Sequence, residues 1–149
     1  MFKSTSAILL LATFVVVSSR SEPKTGADPT ILDCKPLQDG KFCWWTMGGE
    51  WKHHGDYIES TSATAELSSK PIDASKPFCL TVTYQIGNNG QFEVVSESPL
   101  RVTLVRDNVQ SSQTQTKMFT IVDNPITYFT INTRGQVFVH EVSTKTGGC

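Results

Sequence analysis

Residues 78–86 read Phe-Cys-Leu-Thr-Val-Thr-Tyr-Gln-Ile, so Phe78, Leu80, Val82, Tyr84 and Ile86 share one face while Cys79, Thr81, Thr83 and Gln85 share the other. A period of two belongs to a strand with one buried side, because a helix would scatter these side chains around its circumference. Such a strand needs a second apolar surface to cover it. Upstream, Cys34 and Cys43 precede Trp44, Trp45 and Trp51, which are all three tryptophans of the chain. Tryptophan dominates any core it joins, so this stretch marks where the interior begins.

Other short runs have strand character: Gly55–Ser60, Ala63–Ser68, Gln91–Val95, Met118–Val122, Ile126–Ile131 and Gln136–Val142. Leu100, Val102 and Leu104 alternate as well, with Arg101 and Thr103 turned outward. Gly87-Asn88-Asn89-Gly90 supplies residues that accept positive φ, and predicts a hairpin between the strand ending at Ile86 and the one starting at Gln91. Asp107–Thr116 is polar and suits an exposed loop, while Asp123-Asn124-Pro125 and Asn132-Thr133-Arg134-Gly135 separate the later strands. No long stretch has helical periodicity. Seven or eight short strands in one domain predict an all-β fold, an antiparallel two-sheet sandwich of jelly-roll type braced by disulfides.

The first residues resemble an export signal: Lys3, then an apolar run from Ala7 to Val17 broken only by Thr13, then the small residues Ser18, Ser19 and Ser21. That run is too short to span a bilayer. The predicted organisation is a signal at 1–21, a flexible leader at 22–33 contributing little to the core, and one domain at 34–149. Removing 1–21 takes away Lys3 and Arg20 and no acid, leaving 11 basic against 14 acidic residues, which gives no footprint for nucleic acid or an anionic membrane. No second apolar segment follows, so a secreted, extracellular product without a transmembrane segment is expected. Export puts the four cysteines, Cys34, Cys43, Cys79 and Cys149, in an oxidising compartment, where an even number favours disulfides. Spacing alone leaves three pairings open.

The ordered set Cys34, Cys43-Trp44-Trp45, Trp51, Gly55-Asp56-Tyr57, Ala65-Glu66-Leu67-Ser68 with Pro71, and Cys79-Leu80 to Tyr84, closing on Gly147-Gly148-Cys149, resembles the MAM domain of extracellular and receptor proteins. The resemblance covers essentially all of 34–149. It implies the pairs Cys34–Cys43 and Cys79–Cys149, with which the short spacing of the first two agrees. It also implies an inward Trp45, and a core containing Trp51, Tyr57, Leu80 and Tyr84. Neighbours in a strand alternate faces, so Trp44 is then solvent-facing and is the binding candidate. Where the family has Phe-Glu, this chain has Pro36-Leu37-Gln38, and His140-Glu141 takes the place of paired aspartates. The cation-binding acids are therefore incomplete; no metal, no cofactor and no stabilisation by calcium is expected.

His53, His54, Asp56, His140 and Glu141 are metal-capable residue types. Adjacent histidines on a strand point to opposite faces, however, and the plainer reading is two loop histidines and one edge-strand histidine. No serine stands in Gly-x-Ser-x-Gly and paired cysteines leave no thiol nucleophile, so no catalytic residue is expected. The function implied by the resemblance is a non-enzymatic protein-recognition or adhesion module with an extracellular protein partner, often a second copy. The alternative is a secreted ligand-binding or inhibitor protein on the same sandwich.

Overall fold

The computed structural model describes residues 26–36, 40–97, 100–122 and 124–149; the export signal expected at 1–21 lies outside them. A 3-10 turn at Pro29–Leu32 precedes eleven strands: β1 Thr46–Gly48, β2 Trp51–His53, β3 Ile58–Ser60, β4 Ala65–Ser68, β5 Ile72–Ala74, β6 Phe78–Ile86, β7 Gln91–Glu97, β8 Arg101–Asp107, β9 Gln115–Ile121, β10 Asn124–Arg134 and β11 Val137–Thr146. All strand pairs are antiparallel. One sheet has the order β1-β4-β10-β7-β8, with β5 also paired to β10, and the other β2-β3-β11-β6-β9. The fold is thus the expected antiparallel two-sheet sandwich with two disulfides, Cys34–Cys43 and Cys79–Cys149.

The strict alternation of β6 is what its burial shows. Phe78, Leu80, Val82, Tyr84 and Ile86 are all at or below 2% exposure and form the floor of the core. The facing sheet contributes Leu67, Phe92, Val94, Phe129 and Ile131. The Tyr84 and Phe92 rings stack across the sandwich with centroids 3.8 Å apart. The Tyr84 hydroxyl donates to Asp107 Oδ2 at 2.9 Å, so this polar tip is satisfied where the sheets meet. Burial, then that bond, pushes its pKa up beyond the ordinary phenol range. Thr133 donates to Ser60 Oγ at 2.9 Å, a second buried polar link between the sheets.

The hairpin expected at Gly87–Gly90 is not one. The chain does reverse there, but β6 belongs to one sheet and β7 to the other. The apolar faces of the two strands therefore meet across the core, instead of lying side by side in one surface. The same crossing occurs between β10 and β11, and the two turns brace each other: Gly87 N–H donates to Gln136 O at 2.9 Å, and Gln136 N–H to Asn88 O at 3.3 Å. Gly135 has φ +66, and a Cβ there would lie 2.3 Å from Asn89 O, so only glycine fits.

Asn132–Arg134 continue β10, and only Gly135 and Gln136 turn the chain. Residues 26–33, placed in the flexible leader, are packed onto the domain. Leu32 is 1% exposed, Ala27 N–H donates to Pro71 O, and Cys34 exchanges both backbone bonds with Val142. Asp33 Oδ1 accepts from Thr144 N–H at 2.6 Å, and Asp28 caps the turn at Pro29. Leu100 and Val102 remain exposed, because β8 is a sheet edge with a bulge opposite Val94 and Val95. His53 lies in β2, and His140 sits at a bulge of β11 in the interior of its sheet, not at an edge.

Trp45 is 6% exposed and its indole N–H donates to Leu32 O at 3.0 Å. Trp51 is half-buried at the margin of the core, its N–H on Gly48 O at 3.0 Å. Tyr57, expected inside, is not in the core. Ile58 takes the inward position, and alternation turns Tyr57 onto the outer face, where it stacks on His54 at 4.8 Å and meets Phe138 edge-on at 5.4 Å.

Candidate functional site

The outer face of the sheet β1-β4-β10-β7-β8 carries a groove of about 750 Å3. Antiparallel register aligns one residue from each strand into a single rung, Gly48–Glu66–Asn132–Glu93–Arg106. Residues paired in register point to the same side, and Leu67, Ile131 and Val94, one position along, are buried, so the rung faces outward into the groove. Arg134 and Gln91 form the next row on one side. On the other side Ser68, Thr130, Tyr128, Glu97 and Arg101 line an adjoining depression of about 310 Å3.

Glu93 is the hub of this surface. Its Oε1 accepts from Arg106 Nη2 at 2.6 Å and Nε at 3.2 Å, and its Oε2 accepts from Asn132 Nδ2 at 3.2 Å. Arg101 lies 3.9 Å from Glu93 and 3.6 Å from Glu97. The Arg106 hydrogen bond is the main reason the Glu93 carboxyl is held below the usual carboxylate range, and the Asn132 amide adds to it. Arg106 is otherwise mostly exposed, so its remaining N–H groups are available to a ligand. Glu66 accepts from Ser68 Oγ, and Arg134 Nε donates to Ala63 O at 3.3 Å. At the β1 side Gly49 has φ +80, and a Cβ there would meet Thr64 O at 2.7 Å, so the backbone itself forms that wall. The surface is an array of rigid planar donors and acceptors, mutually oriented and open to solvent.

Trp44, the binding candidate read from the sequence, is 62% exposed and lies beyond the far end of the adjoining depression, next to Ser69 and Lys70. Trp45, Leu80 and Tyr84 are interior and do not reach the groove. The metal-capable side chains lie elsewhere too: His54 Nε2 is 2.8 Å from Glu59 Oε2, and His140 rests against Tyr57 at 5.3 Å, both on the opposite sheet. Among the described residues no three His, Cys, Asp or Glu side chains are placed to hold one metal ion, and no helix is long and apolar enough to cross a membrane.

No family model matches this chain, and no curated protein does. Solved structures do match. TmCBM61 in complex with β-1,4-galactotriose superposes with a TM-score of 0.59 at 11% identity, covering 76% of this chain and 99% of that one. The CBM22-1 xylan-binding domain from Paenibacillus barcinonensis Xyn10C gives 0.57 at 9% identity, with 85% and 99% coverage. CsCBM6-3 from Clostridium stercorarium in complex with cellobiose gives 0.52 at 16% identity, with 82% and 99% coverage. The resemblance to a MAM domain is overturned by these matches, which are carbohydrate-binding modules. The Cys-Trp, Gly-x-Tyr and Cys-Leu-to-Tyr signatures are explained without it: they are the disulfide braces, an outer-face aromatic and the central strand of the sandwich. At these identities the likeness establishes a fold, and the chain has the β-sandwich architecture of carbohydrate-binding modules.

Proposed function

We propose that this protein is a secreted, non-catalytic lectin-like module that binds a neutral oligosaccharide in the groove across β1-β4-β10-β7-β8. The observation that carries the reading is the rung Glu66–Asn132–Glu93–Arg106. Carboxylate, carboxamide and guanidinium groups offer paired, planar hydrogen-bonding edges, which suit the vicinal hydroxyls of a sugar. Because Glu93 already bonds Arg106 and Asn132, and Glu66 accepts from Ser68, these groups are held in place before a ligand arrives, which lowers the ordering cost of binding. The two adjoining depressions contain three carboxylates, Glu66, Glu93 and Glu97, and three guanidiniums, Arg101, Arg106 and Arg134. With the charges balanced and largely paired, an anionic glycan has no excess field to gain from. Glu93, with its carboxyl held below the usual carboxylate range, does not suit the general-acid role of glycosidic hydrolysis. Two disulfides and the export-like N-terminus support secretion. The fold shared with modules whose structures hold β-1,4-galactotriose and cellobiose supports the ligand class.

Calorimetry with β-1,4-linked gluco-, xylo- and galacto-oligosaccharides, alongside sulfated and uronic counterparts, tests the proposal. A neutral oligosaccharide should bind with little salt dependence, and Asn132→Ala and Arg106→Ala should each weaken it about tenfold without lowering the melting temperature by much. Absence of binding, or a preference for anionic chains that disappears with added salt, would overturn it.

A further inference from the structure

We infer that the ligand track does not end in the polar groove but runs past Ser69 to the indole of Trp44, which acts as a stacking platform for the far end of a linear oligosaccharide. The inference rests on the groove reading above. The main groove is short of aromatic surface. Among its described lining residues the only ring is Phe92, which is 0% exposed and offers no face to a sugar. The exposed rings lie further along: Tyr128, 36% exposed, in the adjoining depression, and Trp44 beyond it. The two depressions join, sharing Glu66, Arg101 and Asn132, and the second is bounded by Ser69, which also stands beside Trp44 and Lys70. From Arg134 to Tyr128 along β10 is about 20 Å at about 3.3 Å per residue, several sugar rings in length.

Trp44 is also held as a platform should be. It occupies a turn closed by the Trp45 N–H bond to Phe42 O at 3.0 Å, and the residues on either side of the turn, Phe42 and Trp45, are buried. Cys43 adopts φ +49, a left-handed conformation uncommon for a residue with a side chain, and the disulfide to Cys34 fixes it there. Lys70 Nζ stands over the ring, 5.0 Å from its centroid, and the residue as a whole is still 62% exposed. An indole exposed on a rigid, cross-linked turn contributes contact area at little entropic cost. Polar recognition and stacking are therefore separated in space, and only a chain long enough to reach both uses both.

The test is titration of wild type, Trp44→Ala and Trp44→Phe with β-1,4-linked gluco-, xylo- and galacto-oligosaccharides from disaccharide to hexasaccharide, by calorimetry and tryptophan emission. Wild-type affinity should climb with chain length. Trp44→Ala should bind the disaccharide as wild type does and lose about tenfold on the hexasaccharide, and Trp44→Phe should recover most of it. Asn132→Ala should weaken every length. Equal binding of the whole series by Trp44→Ala and wild type, or an equal loss at every length, would overturn the platform and leave the groove standing. A wild-type protein that binds no member would overturn the groove reading and this inference with it.

Discussion

Truncating Trp45 to alanine is the sharpest test of how the Cys34–Cys43 corner supports the sandwich. The ring is 6% exposed, lies 6.5 Å from Phe42 between centroids, and donates to Leu32 O. Cutting it back to Cβ withdraws about 200 Å2 of buried surface, or about 5 kcal/mol at about 25 cal/mol per Å2. That is an upper bound, since an unfolded chain already hides some of this area. The orphaned Leu32 carbonyl adds about 1 kcal/mol. Tryptophan truncations in cores cost about 3–5 kcal/mol, so about 4 kcal/mol is expected, a large part of a total stability of about 5–15 kcal/mol. For a domain of this size that is a fall in melting temperature of about 15 °C. Trp44→Ala, which removes an exposed ring and its contact with Lys70, should cost about 0.5 kcal/mol or less. Thermal and urea denaturation of both variants decides the matter. A Trp45→Ala loss under about 4 °C, or equal losses for the two, would refute the assignment of faces.

The disulfides should differ in weight. Cys79–Cys149 closes 70 residues of sequence separation and Cys34–Cys43 only 9, worth about 4.4 and about 2.7 kcal/mol in chain entropy, so Cys79→Ser should lower the denaturation midpoint more than Cys34→Ser; the reverse order would contradict this. Glu93 should confer an acid-sensitive stability. Its native pKa is below its unfolded value near 4.5, so its contribution is present above that value and lost as pH falls through the native one. The melting-temperature gap between wild type and Glu93→Gln should therefore close on acidification below about 4.5, and a constant gap would show that the Arg106 and Asn132 bonds carry no linkage.

What the sequence discloses of this fold depends on how local the cause is. β6 is legible residue by residue because its alternation is strict and both its neighbours, β11 and β9, leave the buried face unchanged. Gly87-Asn88-Asn89-Gly90 correctly signals a reversal, but turn chemistry cannot say whether the next strand lies beside the last or across the core. That choice is made by the non-local pairing of β6 with β11 and of β7 with β10. Pro29 and Gly26 make the segment before Cys34 look flexible by composition. It is ordered by the buried Leu32, by Asp28 capping the turn and by Asp33 tied to Thr144 of β11, features too sparse to register as a pattern. Tyr57 is misplaced by a role taken from a family likeness, whereas the alternation of Ile58 and Ser60, both buried, already assigns it outward.

The groove is harder to see for a more general reason. Glu66, Glu93, Arg106 and Asn132 come from four different strands, and each alone is an ordinary outward residue of a half-buried strand. Only register makes them neighbours, and register depends on which apolar positions face inward: slipping β10 by one residue would bury Asn132 and expose Ile131. The core thus specifies the site indirectly. Leu67, Ile131 and Val94 lock the three strands in phase, and the polar residues between them fall into one row as a consequence. Trp44 does face out as expected, but by a different cause: it sits in the turn from Phe42 to Trp45 with Cys43 at φ +49, so strand alternation gives the right face for the wrong geometry. A single exposed indole is ordinary on a protein surface, so its exposure alone assigns it no role, and only the chain-length dependence of Trp44→Ala binding separates a stacking platform from a bystander.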